Sequence, residues 1–103
     1  ADFIPSLEAI DHIGEQATVC GPIKRGKYRR SEGRPTFLNF DHTLYVVSKF
    51  IVVIWEKDLA NFPEAPENHY ENKQVCATGL IELGQEGKAV ITVSEGSQLQ
   101  IVH

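Results

Sequence analysis

Hydrophobic positions recur with two different periods along this chain. Behind Ser6, a residue type that caps helices, Leu7, Ile10 and Ile13 share one face, and Gly14 follows where a helix stop is favoured. This predicts a short helix over residues 6–13 that lids one end of the molecule. From Ala17 the period falls to two. Ala17, Val19, Gly21 and Ile23 alternate with Thr18, Cys20 and Pro22, the pattern of a half-buried strand. Pro22 has no N–H for a ladder and so marks an edge, a bulge or a bend. Gly26, Ser31, Gly33 and Pro35 predict a hairpin connection with a mobile tip that projects into solvent. Thr36 to Phe40 reads as a second strand, with Leu38 and Phe40 inward and Phe37 and Asn39 outward.

A turn around residues 41–48 leads to a third strand, Phe50 to Trp55, with Phe50, Val52 and Ile54 on one face and Ile51, Val53 and Trp55 on the other. Pro63 and Pro66 restrict residues 56–71 to short helical turns, around Leu59 to Phe62 and again near Asn68 to Tyr70. Phe62 and Tyr70 are expected to pack on the sheet. Val75 to Leu83 predicts a fourth strand, a Gly-containing turn follows at 84–87, and Ala89 to Val93 predicts a fifth, with a short terminal strand at Leu99 to Val102. Many short strands with Gly at the bends predict an all-β fold. The expected form is a small five-stranded antiparallel OB-fold barrel, with a short N-terminal helical segment (1–14), a barrel (15–103) and a helical connection between strands three and four. In that fold the second and third strands and their flanking loops form a ligand surface.

Length and composition are compatible with that reading. The 103 residues fit one domain, and 42% hydrophobic with 23% charged residues is the composition of a chain that buries a core. The longest apolar run, Phe50 to Trp55, is far short of the roughly 20 residues of a membrane-spanning helix. There is no Met, so Ala1 is not expected to be a translational start, and the chain reads as a processed or excised product from which any signal peptide has gone.

Charge changes the picture more. The formal net charge of −4 argues against a generally basic nucleic-acid binder. Between residues 24 and 34, however, Lys24, Arg25, Lys27, Arg29, Arg30 and Arg34 face only Glu32, a local charge of +5. The four remaining cations stand against thirteen carboxylates, which leaves −9 on the body. A compact basic block of this kind is either a solvated hairpin or the footprint of a polyanion site.

Four strings then carry a resemblance: Ile13-Gly14-Glu15-Gln16-Ala17-Thr18-Val19-Cys20-Gly21, Pro35-Thr36-Phe37-Leu38-Asn39-Phe40, Val52-Val53-Ile54-Trp55 and Val75-Cys76-Ala77-Thr78-Gly79. Together, over residues 6–102, they resemble the bacterial OB-fold nucleic-acid-binding domains of the tRNA-anticodon-binding-like type, and the chain is most similar to small exported nucleic-acid-binding lipoproteins. The resemblance implies the barrel, a nucleic-acid partner, export, and a lipid anchor upstream of this chain; a cytoplasmic location is the alternative. It also bears on the cysteines. Cys20 and Cys76 leave the same side of their strands by parity, and the first and fourth strands of an OB-fold are neighbours. They are therefore either a disulfide, as export favours, or two packed thiols.

Little else in the sequence points to chemistry. His12, His42, His69 and His103 lack the close spacing of a zinc motif, the cysteines fit no Cys-x-x-Cys pattern, and no phosphate-cradling Gly-rich sequence is present. No metal or cofactor is expected. Glu56 with Asp58, Glu64 with Glu67, and Asp41 beside His42 are carboxylate or Asp-His pairs in polar connections with no identifiable nucleophile, so the chain is not expected to be an enzyme. Single-stranded nucleic acid requires cations for phosphates and aromatic faces for bases. Lys24, Arg25, Lys27, Arg29, Arg30 and Arg34 are the candidate cations, with Tyr28, Phe37 and Trp55 as candidate stacking faces and Asn39 as a candidate base contact. Each has a plainer alternative: loop packing for Tyr28, contact with the hairpin or the helical connection for Phe37, burial under the helical connection for Trp55, an ordinary surface amide for Asn39. The competing function is an adaptor that binds a protein or small ligand through Phe37, Ile51 and Val53.

Overall fold

The structure is a computed structural model that describes residues 3–30 and 32–102; Ser31, expected in the hairpin connection, and His103, of the four histidines, lie outside the described residues. Among the described residues eight strands form: β1 (Ile4–Pro5), β2 (Gln16–Tyr28), β3 (Thr36–Phe40), β4 (Phe50–Ile54), β5 (Lys73–Leu80), β6 (Glu82–Leu83), β7 (Ala89–Thr92) and β8 (Leu99–Ile101). They pair in the order β6-β7-β4-β3-β2-β5-β8, with β1 alongside β2, as one curled sheet that makes a half-barrel.

The fold is thus mostly β, but the expectation of five antiparallel strands is corrected on both counts. β1 runs parallel to β2 and β7 parallel to β4. The parallel pair arises because β7 reaches β4 only after the chain has crossed through the helical connection and β5, and so enters from the same end as β4. The extra strands are short. β6 splits from β5 at Ile81, which turns fully into the core.

Alternation explains the core. Leu38 and Phe40 of β3, Phe50, Val52 and Ile54 of β4, and Ala89 and Ile91 of β7 all point inward and are buried, and the Phe40 and Phe50 rings lie 4.8 Å apart. The sheet curls far enough that a methyl placed on Gly79 of β5 would lie 2.7 Å from Ile91 Cγ2 of β7. Phe62 and Tyr70 pack into this core, as expected, from a 3₁₀ turn at Glu56–Asn61 and the short helix α1 (Pro66–His69). Among the described residues no helix is long and apolar enough to cross a membrane.

The N-terminal helix departs from its expected form. Residues Ser6–His12 are a 3₁₀ helix, and Ser6 does not cap it. Its hydroxyl instead donates to Asp41 Oδ2 at 2.5 Å. The expected apolar face is largely turned out: Leu7 and Ile13 are exposed and Ile10 packs only partly buried against the core, while Ser6 and Ala9 are buried. With three residues per turn every row repeats at i, i+3, and the tie to Asp41 selects the Ser6–Ala9 row over Leu7–Ile10–Ile13. Gly14 does stop the helix, at φ +93°, a conformation that costs glycine little.

β2 decides where the charges go. Its first half pairs with β5, with Gln16 opposite Leu80 through to Ile23 opposite Lys73, and its second half pairs with β3. Between Ile23 and Arg25 the register slips: Ile23 faces Phe40 but Arg25 faces Asn39, so Lys24 is an extra residue in a β-bulge. Pro22 sits just before it, at the bend. Before the bulge the odd-numbered side chains Val19 and Ile23 point into the core; after it the odd-numbered Arg25 and Lys27 point out. The basic segment is therefore not all hairpin connection, since residues 24–28 are strand and only 29–35 form the loop.

Cys20 and Cys76 are direct register partners across β2 and β5 and are joined by a disulfide.

Candidate functional site

The bulge lines up two rows of outward side chains across four strands. Register places Lys27, Phe37, Val53 and Thr92 in one row, and Arg25, Asn39, Ile51 and Val90 in the next. These eight residues floor a groove of about 580 Å³. One wall is the β2–β3 loop with Arg29, Glu32 and Pro35, together with Trp55 at the end of β4. The other holds His42 and Ser48, at the two roots of the β3–β4 connection, and Glu86 and Lys88 from the turn before β7.

Each end of the floor has its own chemistry. Cations enter from β2 as Arg25 and Lys27, while Ile51, Val53 and Val90 make the middle apolar. Arg29 reaches over the Phe37 ring with its guanidinium carbon 5.6 Å from the ring centre, a cation–π contact that half-covers the aromatic. Trp55 is 37% exposed and forms the rim. Its ring supports the loop: a methyl on Gly33 would lie 2.8 Å from Trp55 Cε3, and Gly33 holds φ +79° there. Four cations, Arg25, Lys27, Arg29 and Lys88, line the groove against Glu32 and Glu86. A ligand with negative charge at its edges and flat apolar faces fits this arrangement.

The candidate residues divide accordingly. Arg25, Lys27, Arg29, Phe37, Asn39 and Trp55 come together in the groove. Lys24, in the bulge, and Arg30 are exposed and outside its lining. Tyr28 faces away, where it borders a shallow apolar depression beside Leu59 and Phe62, and its hydroxyl donates to Glu56 Oε2 at 3.1 Å. The same carboxylate takes Arg34 at 3.6 Å, and the Glu56 N–H donates to the Gly33 carbonyl at 3.2 Å. Glu56 therefore pins the base of the loop. Sequence reasoning missed Lys88, Val90 and Thr92 as groove residues. Alternation does mark Val90 and Thr92 as outward beside inward Ala89 and Ile91, but only the pairing of β7 with β4 brings them next to Ile51 and Val53.

No protein-family model matches the chain, and no curated protein matches it either.

Proposed function

We propose that this chain is a non-catalytic OB-fold binding module for single-stranded nucleic acid, with the outer groove of β2, β3, β4 and β7 as its site and no cofactor. In support of the fold reading, the five principal strands lie in the order β5-β2-β3-β4-β7, with helical turns between β4 and β5, the arrangement of a five-stranded Greek-key barrel. The observation that carries the function is the bulge at Lys24, which turns Arg25 and Lys27 onto the face that already bears Phe37 and Asn39. Cations then track phosphates along the β2 side while Phe37 and Trp55 offer faces to unpaired bases. The disulfide supports an oxidising, exported setting.

The test is a titration of labelled single- and double-stranded oligonucleotides at two salt concentrations. The parent is expected to prefer the single strand, and Arg25→Ala with Lys27→Ala is expected to weaken binding and reduce the salt slope by roughly 0.7 per lost phosphate contact. Lys24→Ala with Arg30→Ala removes the same charge outside the groove and is expected to cost less. Phe37→Ala is expected to cost about 1 to 3 kcal/mol of affinity without unfolding the chain. Equal losses in the two double variants would show that the groove is irrelevant. A second reading, an adaptor for a protein or small ligand, is favoured by the apolar strip of Ile51, Val53 and Val90, and its signature is binding that salt leaves unchanged.

A further inference from the structure

The groove uses only the roots of the β3–β4 connection. Beyond them the chain turns out into solvent, with Leu44 95%, Tyr45 94%, Val46 47% and Val47 64% exposed. Four consecutive apolar residues outside the core are a liability unless something receives them. Exposure this complete at Leu44 and Tyr45 means that no described part of the chain stands beside them, so the tip is convex.

The turn is well built all the same. The Thr43 N–H donates to the Val46 carbonyl at 2.9 Å, and the N–H groups of Tyr45 and Val46 both donate to Thr43 Oγ1, at 3.2 and 2.9 Å. These three amides are thus satisfied within the turn. They have little to offer a polar partner, and they do not incur the penalty that free amides meet in an apolar medium. Charge points the same way. No carboxylate occurs between Asp41 and Glu56, and Asp41 already accepts the Ser6 hydroxyl. Lys49 closes the turn, and Lys88 adjoins it, because the N–H of Ala89 donates to the Lys49 carbonyl at 2.9 Å.

We propose that Leu44–Val47 inserts into the interfacial layer of a lipid bilayer that carries anionic lipid, with Lys49 and Lys88 at headgroup level. A convex tip leaves its flanks wet against a flat protein surface, whereas lipid closes around any protrusion. Tyr45 suits the interface, where an amphipathic ring keeps its hydroxyl in the polar layer. The lysines add attraction to anionic headgroups that falls off within a Debye length. This site shares Lys88 with the groove wall but does not rest on the nucleic-acid reading.

Cosedimentation of the full chain with vesicles tests it, using phosphatidylcholine alone and phosphatidylcholine mixed with phosphatidylglycerol. The parent is expected to bind the mixed vesicles more tightly. Leu44→Ser with Tyr45→Ser is expected to weaken that binding about tenfold or more, since burial of each large side chain is worth roughly a factor of ten. Both side chains are solvent-exposed, so circular dichroism and thermal unfolding should match the parent and separate lost binding from lost fold. Lys49→Ala is expected to reduce only the preference for anionic lipid. Leu44→Trp adds a direct reading: its emission is expected to shift to the blue on vesicle addition and to be quenched by brominated acyl chains. Absence of parent binding to either vesicle overturns the proposal, as does equal binding by the double serine variant. Intact vesicle binding in that variant together with loss of self-association or of oligonucleotide affinity also overturns it, in favour of a second copy or a nucleobase as the tip's partner.

Discussion

Breaking the Cys20–Cys76 bond is expected to cost this fold much of its stability. The two residues are 56 apart in sequence, and the closed loop contains β3, β4 and the helical connection. On the chain-entropy treatment, opening a loop of that length releases about 14 cal/mol/K in the unfolded state, or about 4 kcal/mol at 25 °C. Native packing changes little, because Cys20 and Cys76 already face each other in a ladder that continues from Gln16 to Ile23, and reduction leaves both sulfurs in place. The effect therefore lies almost wholly in the unfolded chain. With a urea dependence of about 1.5 kcal/mol/M, the unfolding midpoint of the reduced protein should fall by nearly 3 M, and its Tm by about 20 °C. Urea melts followed by circular dichroism, with and without reductant, measure the difference, and a thiol count on the denatured, unreduced protein checks the bond. Coincident melts would refute the entropic argument. Two free thiols would show that the bond is absent in solution and would remove the support for an exported setting.

Two further outcomes follow from the structure. Gly26→Ala is expected to destabilise the fold by several kcal/mol, because a methyl there collides with the Glu67 carbonyl oxygen at the start of α1 and neither backbone can yield cheaply; a urea midpoint equal to the parent's would show that α1 shifts freely. Burial raises the pKa of Tyr70 above its ordinary 10.0, so above that pH the unfolded chain loses a proton that the folded one retains, and stability falls as pH rises. Tyr70→Phe should flatten the alkaline limb of a stability–pH curve, and an unchanged limb would assign the loss to other groups.

How much could be read from the chain beforehand depends on whether a feature is local. Period-two alternation fixed the inward sets of β3 and β4, and the prolines confined the 56–71 connection to short turns, because both act through neighbouring residues. Pro22 marked an edge, a bulge or a bend, but which of these, and at which residue, was hidden. Nothing in the string Ile23-Lys24-Arg25 distinguishes an extra residue from an ordinary one; the slip exists only against Phe40 and Asn39 of β3. The parallel joining of β7 to β4 is equally non-local, and with it went Lys88, Val90 and Thr92. The 3₁₀ segment failed for a related reason. Apolar spacing proposed the Leu7 face, but a single hydrogen bond to Asp41, 35 residues away, decided the rotation.

The bulge makes the location of charge on this molecule a question of counting. Arg25 and Lys27 reach the outer face because Lys24 is left unpaired; were Lys24 paired in an unbroken ladder, strict alternation from Ile23 would turn both cations toward the core and bring Gly26 and Tyr28 outside. Removal of Lys24 itself takes away only the unpaired residue, leaving Ile23 opposite Phe40 and Arg25 opposite Asn39, so the outward set survives. A deletion beyond the bulge acts instead as a half-cycle phase shift that inverts the rest of the arm, so loss of Gly26 should be far more damaging than loss of Lys24.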